Sequence, residues 1–488
     1  TGPMSPEADW QHWVSIIEPD IKESDTALLL ITGGSFDSSR PTAQNVDDFL
    51  VEFAKLTGTV VCVVNNVPGQ PIVFEDELTD VVADPNSPDS GLIDNGVIRT
   101  RSEDEIIAYT FDKYLETFTD PDQEPDASWP VLFPMARAAI RAMDFIQEEF
   151  PNLSFKPDDN DDIADFVVAG GSKRGWTTWL TAASDPQRRV KAVIPIVIDV
   201  LNMRDQMENH FSSYGYWSPS IYDYAQEQIF DRLLQADTQS ETEALLELVD
   251  PFTYRNRLTM PKFVVNSTGD QFFLPDSSNF YFNELVGERL LHYAPNTDHG
   301  LDNSFDFFDD PTPLAAMLAY YLSVVQDIER PTIDWTFEPN GSILVETSEP
   351  PTDVVVWSAT NPNGRDFRLQ RIGAAWTPSL PVPLSPTRFS ASVPTPDSGY
   401  TAYFVQVFFD NPAEFVINDE LGEIPPFIVS TDVRVTPEGF PDFPGSREDL
   451  PNVSSPIEGA RPGASVLQVW GDPFTMGRDI GQLMGAEI

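Results

Sequence analysis

Three residues far apart in the chain, Ser172, Asp270 and His299, are of the types that together activate a hydroxyl for nucleophilic attack. A serine hydroxyl is a weak nucleophile alone and needs a base of near-neutral pKa within hydrogen-bond reach. The chain has four histidines, so the candidates can be compared one by one. His292 alternates inside a strand-like run and reads as packing or surface, and His12 precedes the sheet pattern. His210 falls in a helical, aromatic stretch where it is a candidate substrate contact. His299 follows a buried run and a turn, Ala294-Pro-Asn-Thr-Asp-His299-Gly300, and is the expected base.

The apolar run Ile163 to Ala169 leads straight into Gly170-Gly171-Ser172-Lys173-Arg174-Gly175, and a helix-compatible stretch from Trp176 to Ala183 follows. A strand, tight turn and helix of this kind hold a serine at a strained backbone angle with its hydroxyl exposed, and small flanking residues avoid the neighbouring strand and helix. Arg174 stands where G-x-S-x-G has its last glycine, and Gly175 comes one position later. A purely structural glycine-rich turn would have the same composition, but the downstream residues argue against it. Lys262 to Asn266 is a strand pattern ending in Ser267-Thr-Gly-Asp270, and Arg289 to Tyr293 is another that leads to His299. Ser, Asp, His is the chain order of α/β hydrolases, and each residue sits past the carboxyl end of a strand, where an open parallel sheet presents its site. Asp199, after Val193-Ile-Pro-Ile-Val-Ile198, is the alternative acid, because some hydrolases place it one strand earlier.

Acyl transfer also needs donors aimed at an oxyanion, ordinarily the amide after the nucleophile and one behind an early strand. The Lys173 N–H and the turn Thr32-Gly33-Gly34-Ser35 fit, although Gly33 and Gly34 also suit an ordinary strand-to-loop turn. Arg174 and Trp176, next to the nucleophile, join His210 as candidate substrate contacts. The acidic stretch Pro157 to Asp162 lacks the central glycine and terminal glutamate of an EF-hand loop and reads as a solvated loop. No metal and no cofactor are expected.

The elements that must position these groups form an α/β pattern from residue 26 to about 325. Strand patterns cover Ala27 to Thr32, Thr59 to Asn65, Ile163 to Ala169, Lys191 to Ile198, Lys262 to Asn266 and Arg289 to Tyr293. Helices fit Asp47 to Leu56, Glu103 to Phe118, Phe133 to Phe150 and Pro313 to Val325. About residues 200–260 are helical and aromatic with no strand run, which predicts a cap over the site. The expected division is an α/β-hydrolase domain over 1–330 and a β-sandwich over 331–436. The sandwich carries six short strands, Gly341 to Thr347, Asp353 to Thr360, Asp366 to Ile372, Arg388 to Val393, Thr401 to Asp410 and Phe427 to Val435. It contains no histidine and no convergent acid–base set, so it is expected to serve stability or positioning rather than chemistry. A Pro-rich linker follows over 437–463, then a C-terminal segment over 464–488.

Composition excludes some partners. With 78 acids against 29 bases the formal charge is -49, and the seven lysines end at Lys262. Such a surface repels polyanions, so nucleic acid is excluded as a partner, and saline surroundings would screen its self-repulsion. Cys62 is the sole cysteine and reads as core, so no intrachain disulfide forms. No window approaches a membrane span, and the start at Thr1 reads as a processed or trimmed product.

Four stretches, Gly171-Ser-Lys-Arg-Gly-Trp-Thr-Thr-Trp179, Pro195-Ile-Val-Ile-Asp-Val-Leu-Asn202, Asn266-Ser-Thr-Gly-Asp-Gln-Phe-Phe-Leu-Pro275 and Pro295-Asn-Thr-Asp-His-Gly-Leu301, resemble the PhoPQ-activated pathogenicity-related family. The resemblance covers about residues 5–435 and includes Thr32 to Ser35 and Asn65 to Gln70. It implies an α/β-hydrolase fold with an added C-terminal β domain, and it makes Arg174 a family feature rather than a decayed motif. The family is often exported and includes a secreted growth-repressing signal protein, which implies a secreted or periplasmic setting. Val469 to Gly477 and Gly481 to Met484 resemble the opening of acyltransferase-like Ntn hydrolases; Gly477, Gly481 and Gly485 equally fit a small-residue stripe on a packing helix. The expected activity is that of a serine esterase or amidase acting on a small-molecule or peptide substrate, with a non-catalytic signalling or binding protein on the same scaffold as the alternative.

Overall fold

Short runs of Leu, Val and Ile become buried strands because each residue removed from water contributes about 1.5–3 kcal/mol. The computed structural model describes residues 10–35, 41–42, 46–74, 77, 100–119, 125–153, 162–235, 239–301, 313–411, 413 and 425–441. The expected linker beyond residue 441, the C-terminal segment and residues 157–161 of the acidic loop lie outside them.

Seven strands make the main sheet: β1 Val14–Ile17, β2 Thr26–Ile31, β3 Val61–Val64, β4 Asp165–Gly171, β5 Val190–Ile196, β6 Lys262–Ser267 and β7 Arg289–Ala294. Their order is β1-β3-β2-β4-β5-β6-β7, parallel throughout except for β1, which pairs antiparallel with β3 at one edge. Helices α1 Asp48–Thr57, α2 Asp104–Glu116, α3 Leu132–Leu153, α4 Lys173–Ser184 and α9 Pro313–Val325 connect or follow the strands. Two apolar clusters flank the sheet, one built around Trp179, Met143 and Phe166, the other around Phe53, Tyr320 and Phe263. The chain reverses direction across the sheet between β2 and β4, the switch point at which open parallel sheets expose a site. With Ser172 in the turn after β4, Asp270 after β6 and His299 after β7, this is the α/β-hydrolase fold. The strands and helices expected over residues 26–325 all form, with ends shifted by a few residues; β1, four residues long, is too short to stand out in the sequence.

The cap forms between β5 and β6 as expected, from α5 Met203–Tyr214, α6 Tyr222–Gln226, α7 Ile229–Leu234 and α8 Gln239–Val249 with short 3-10 turns. After α9 the chain builds two antiparallel sheets. One joins β10 Asp353–Asn361, β11 Thr377–Ser379, β14 Tyr400–Phe409, β15 Phe427–Ser430 and β16 Arg434–Thr436; the other joins β8 Ile333–Phe337, β9 Ile343–Thr347, β12 Val382–Ser385 and β13 Arg388–Ala391. Val345, Val356 and Val405 contribute to one shared apolar layer between them, the layering of a β-sandwich.

Two sandwich expectations are corrected. The region over Asp366 to Ile372 is a loop with a single helical turn, α10 Leu369–Ile372, and Phe427 to Val435 divides into β15 and β16. The alternation in Arg365-Asp-Phe-Arg368 reflects burial of Arg365, Phe367 and Arg368 against the cap and core rather than a pleat.

Candidate active site

Ser172 ends β4 and starts α4 with φ 53 and ψ -127, a left-handed value costing a non-glycine residue about 1–3 kcal/mol. The glycines that permit this turn are Gly170 and Gly175. A Cβ at Gly170 would lie 2.6 Å from the Arg174 carbonyl, and one at Gly175 would lie 2.5 Å from Ile198 and 2.9 Å from the Gly170 carbonyl. Gly171 faces open space, so the glycine displaced from its usual place does its work at 175.

The sharp turn brings Ser172 to His299: Oγ donates to Nε2 at 2.9 Å. The Asp270 carboxylate can only accept, so His299 Nδ1 carries the proton and donates to Oδ2 at 2.8 Å and Oδ1 at 3.0 Å. Asp270 Oδ1 also accepts the Phe272 and Phe273 amides at 2.7 and 3.2 Å, which fixes its orientation. The His299 amide donates to Gln271 Oε1 at 2.9 Å, and the Phe272 ring lies 4.2 Å from the imidazole. All three side chains are buried.

Asp199 does not reach His299. Its carboxyl accepts from Asn266 Nδ2 at 2.8 Å and from the Tyr281 hydroxyl. Burial pushes this acid up to about 7, against the opposing effect of those two donors.

The Gly33–Gly34 turn follows β2, wedged between Arg174 and Asn66: a Cβ on Gly33 would lie 2.3 Å from the Arg174 guanidinium, and one on Gly34 would lie 2.0 Å from Asn66 Oδ1. Arg174 packs against this turn and is not among the residues lining the pocket at Ser172. Its guanidinium donates to the Val67 carbonyl at 2.7 Å and to both Glu103 oxygens at 2.7 and 2.9 Å. Lys173, whose amide begins α4, sends its ammonium to Glu103 at 2.8 Å and Asp104 at 2.9 Å. Burial opposes that charge, but the two carboxylates outweigh it and hold the ammonium above its usual range. Burial likewise opposes the Glu103 charge, and Arg174 with Lys173 outweighs it, holding the carboxyl well below the usual range.

Trp176 lines the pocket beside Ser172, with its indole N–H turned away to the Val249 carbonyl at 2.7 Å. His210 is buried elsewhere: Nε2 accepts the Ser218 amide at 3.0 Å, and burial pushes its pKa down to about 3. It supports the cap and does not line the pocket. His292 is buried within β7, and His12 meets the Asn65 carbonyl at 3.1 Å.

The pocket at Ser172 spans about 550 Å3 of space between the side chains, counting the solvent at its open mouth. Phe111 from α2, Trp176 from α4, Ile198 and Val200 from the segment after β5, Met203, Met207, Ile221, Ile229 and Phe230 from the cap, and Phe272 and Phe273 from the loop after Asp270 line it. Among the described residues no group of three or more His, Cys, Asp or Glu side chains could hold a metal ion, and no helix is long and apolar enough to cross a membrane.

Sequence reasoning expects the sandwich to serve stability or positioning, but it missed the residues through which it would do so. Arg368 Nη1 donates to Ser218 Oγ at 3.0 Å, and Ser218 Oγ donates to the Gln271 carbonyl at 2.8 Å, one residue after the acid. The Leu369 amide donates to the Gly269 carbonyl at 2.9 Å, and Asn296 and Trp376 exchange two hydrogen bonds at 2.9 Å. The turns carrying Asp270 and His299 are both held by the β10–β11 loop. No local pattern could reveal partners some 80 to 150 residues away.

Residues 2–368 match the family model of the PhoPQ-activated pathogenicity-related protein. Autocrine proliferation repressor protein A of Dictyostelium discoideum is 31% identical over 420 residues, covering 81% of this chain and 76% of that protein. Among solved structures, the acetyl xylan esterase from Paenibacillus sp. R4 aligns at 14% identity and TM-score 0.38, covering 59% of this chain and 75% of the esterase. Est1E from Butyrivibrio proteoclasticus aligns at 12% and 0.34, covering 66% and 98%.

Proposed function

The chain belongs to the PhoPQ-activated pathogenicity-related protein family, and from that premise we propose that it is a serine hydrolase cleaving an ester or amide through an acyl-enzyme. One observation carries the reading: the continuous hydrogen-bond line from Asp270 through His299 to Ser172, each beyond the carboxyl end of its strand.

In this reading Ser172 Oγ bonds to the substrate carbonyl carbon while its proton passes to His299 Nε2. Asp270 holds the ring tautomer and stabilises the imidazolium. The Lys173 amide and the Gly33–Gly34 turn receive the negative oxygen. The carbon–heteroatom bond then breaks, His299 returns the proton to the leaving group, and water repeats the sequence to release the acid. Trp176 shapes the pocket, whereas Arg174 and His210 act as braces.

A second reading is a secreted, non-catalytic signalling protein on this scaffold, and it draws on the relative named as an autocrine proliferation repressor. Both readings suit an exported chain. Turnover of activated esters and anilides separates them: hydrolysis by wild type that vanishes in Ser172→Ala supports the enzyme, and equal rates in the two proteins contradict it.

A further inference from the structure

Resting on the serine hydrolase reading, we infer that the pocket takes an uncharged, apolar acyl group longer than acetyl and rejects acyl groups bearing a carboxylate. Three observations carry this inference.

First, the pocket wall offers a substrate almost no free polar atom. Apart from Ser172, its lining side chains with polar atoms are Asp104, Lys173, Trp176 and Tyr224. Each already has a protein partner. Tyr224 donates to Asp104 Oδ1 at 3.0 Å, Lys173 binds Asp104 Oδ2 at 2.9 Å, and Trp176 donates to a backbone carbonyl. A sugar hydroxyl or carboxylate entering here would lose its water and find nothing in exchange, whereas each methylene would gain its transfer free energy.

Second, the charge behind the wall is wrong for an anion. Glu103 and Asp104 bind Lys173, and Glu103 also binds Arg174, so neither cation is left to receive a carboxylate.

Third, the pocket is closed on the cap side by flexible thioethers. Met203 and Met207 are one helical turn apart on α5 and line the space together with Ile198 and Val200. Methionine adapts to chains of different shape, a property of sites that accept a range of apolar ligands. Its apolar lining beside Ser172 suits the acyl half, which stays on the serine after the leaving group departs to solvent.

The test uses the full chain with the 4-nitrophenyl esters of acetate, butanoate, hexanoate and monoadipate, with fluorophosphonate labelling of Ser172 run in parallel. The expected kcat/KM rises by about fourfold for each methylene that the pocket buries, up to hexanoate. Monoadipate, of the same length but ending in a carboxylate, should fall roughly 100-fold or more below hexanoate. In Met207→Trp the hexanoate-to-acetate ratio should fall at least about tenfold; as a ratio within one protein, it does not depend on how much of the variant folds. Labelled Ser172 with rates flat or falling along the series, or with monoadipate matching hexanoate, would overturn the substrate class alone. Rates that follow the alcohol chain of alkyl acetates and ignore the acyl chain would overturn the acyl assignment. Absence of both labelling and turnover would remove the hydrolase reading and this inference with it.

Discussion

Asn266 and Tyr281 separate the two candidate acids. They engage both oxygens of Asp199, while Asp270 keeps His299 Nδ1 as its side-chain partner. Accordingly, Asp270→Asn should lower kcat by roughly 10⁴-fold, because the wrong imidazole tautomer is favoured. Asp199→Asn should stay within about tenfold of wild type, since it acts at a distance from the reacting atoms. The reverse ranking, in steady-state kinetics, would move the acid to Asp199. Ser172→Ala and His299→Ala should each cost several orders of magnitude, and the double variant should be little worse than either; multiplicative losses would mean that the two do not act as a unit. At this scale the sequence is legible where chemistry is local to a turn, as at 172, 270 and 299. It is silent where a side chain's partner lies far along the chain: Arg174 looks like a substrate contact until Glu103, 71 residues earlier, is seen against it.

At the scale of elements, runs buried on both faces such as β2 and β4 could be read directly, because their hydrophobicity is continuous. The β10–β11 loop could not be read, because buried arginines imitate strand alternation. Arg365 reaches Asp276, Asn209 and Ser213, and Arg368 reaches Ser218 and Tyr216, so the sandwich is tied to the cap and through it to the acid turn. This gives the expected positioning role a physical route. Arg368→Leu should reduce kcat by about 10²-fold, the scale of a misplacement of about 1 Å, with KM less affected and fluorophosphonate labelling slowed in parallel. Arg388→Leu, which breaks an exposed pair with Glu346, should remain within about twofold. Equal and small effects of the two substitutions would contradict a positioning role for the loop. For the same reason a chain ending near Asp327 should lose Ser172 labelling, since the turns at 269 and 296 would lose their partners at 369 and 376.

For the whole molecule, charge dominates. At -49 the self-repulsion is screened over roughly 30 Å at 0.01 M salt but only about 3 Å at 1 M, so the melting temperature should rise with NaCl, mostly below about 0.5 M. The rise should exceed that in sucrose at matched water activity, which tests general strengthening of burial; a flat salt response would show that the acids are spaced harmlessly. Proton binding adds a pH dependence. Burial pushes Asp199 up to about 7 and Asp250 and Asp432 up to about 6, above the roughly 3.9 of an unfolded aspartate. Between about pH 4 and 7 the folded chain therefore binds more protons than the unfolded one, so their stabilising contribution is complete below about 4 and is lost as pH rises through 6 to 7. Buried His210 and His292, pushed down to about 3, act the other way below about pH 6.5, where only the unfolded chain binds their protons; melting temperature should therefore fall from about pH 6.5 to pH 8 at constant ionic strength, and Asp199→Asn should flatten that decline, while an unchanged slope in the variant would contradict the assignment. All of this bears on how the fold survives, while the proposal that it is an enzyme rests on one hydroxyl. Intact-mass and peptide mass spectrometry of the full chain after reaction with a fluorophosphonate decides that point. A single adduct per chain, on the peptide containing Ser172 and absent in Ser172→Ala and in heat-unfolded protein, is the predicted result. No adduct on the folded wild type, or an adduct that persists when Ser172 is replaced, would contradict it.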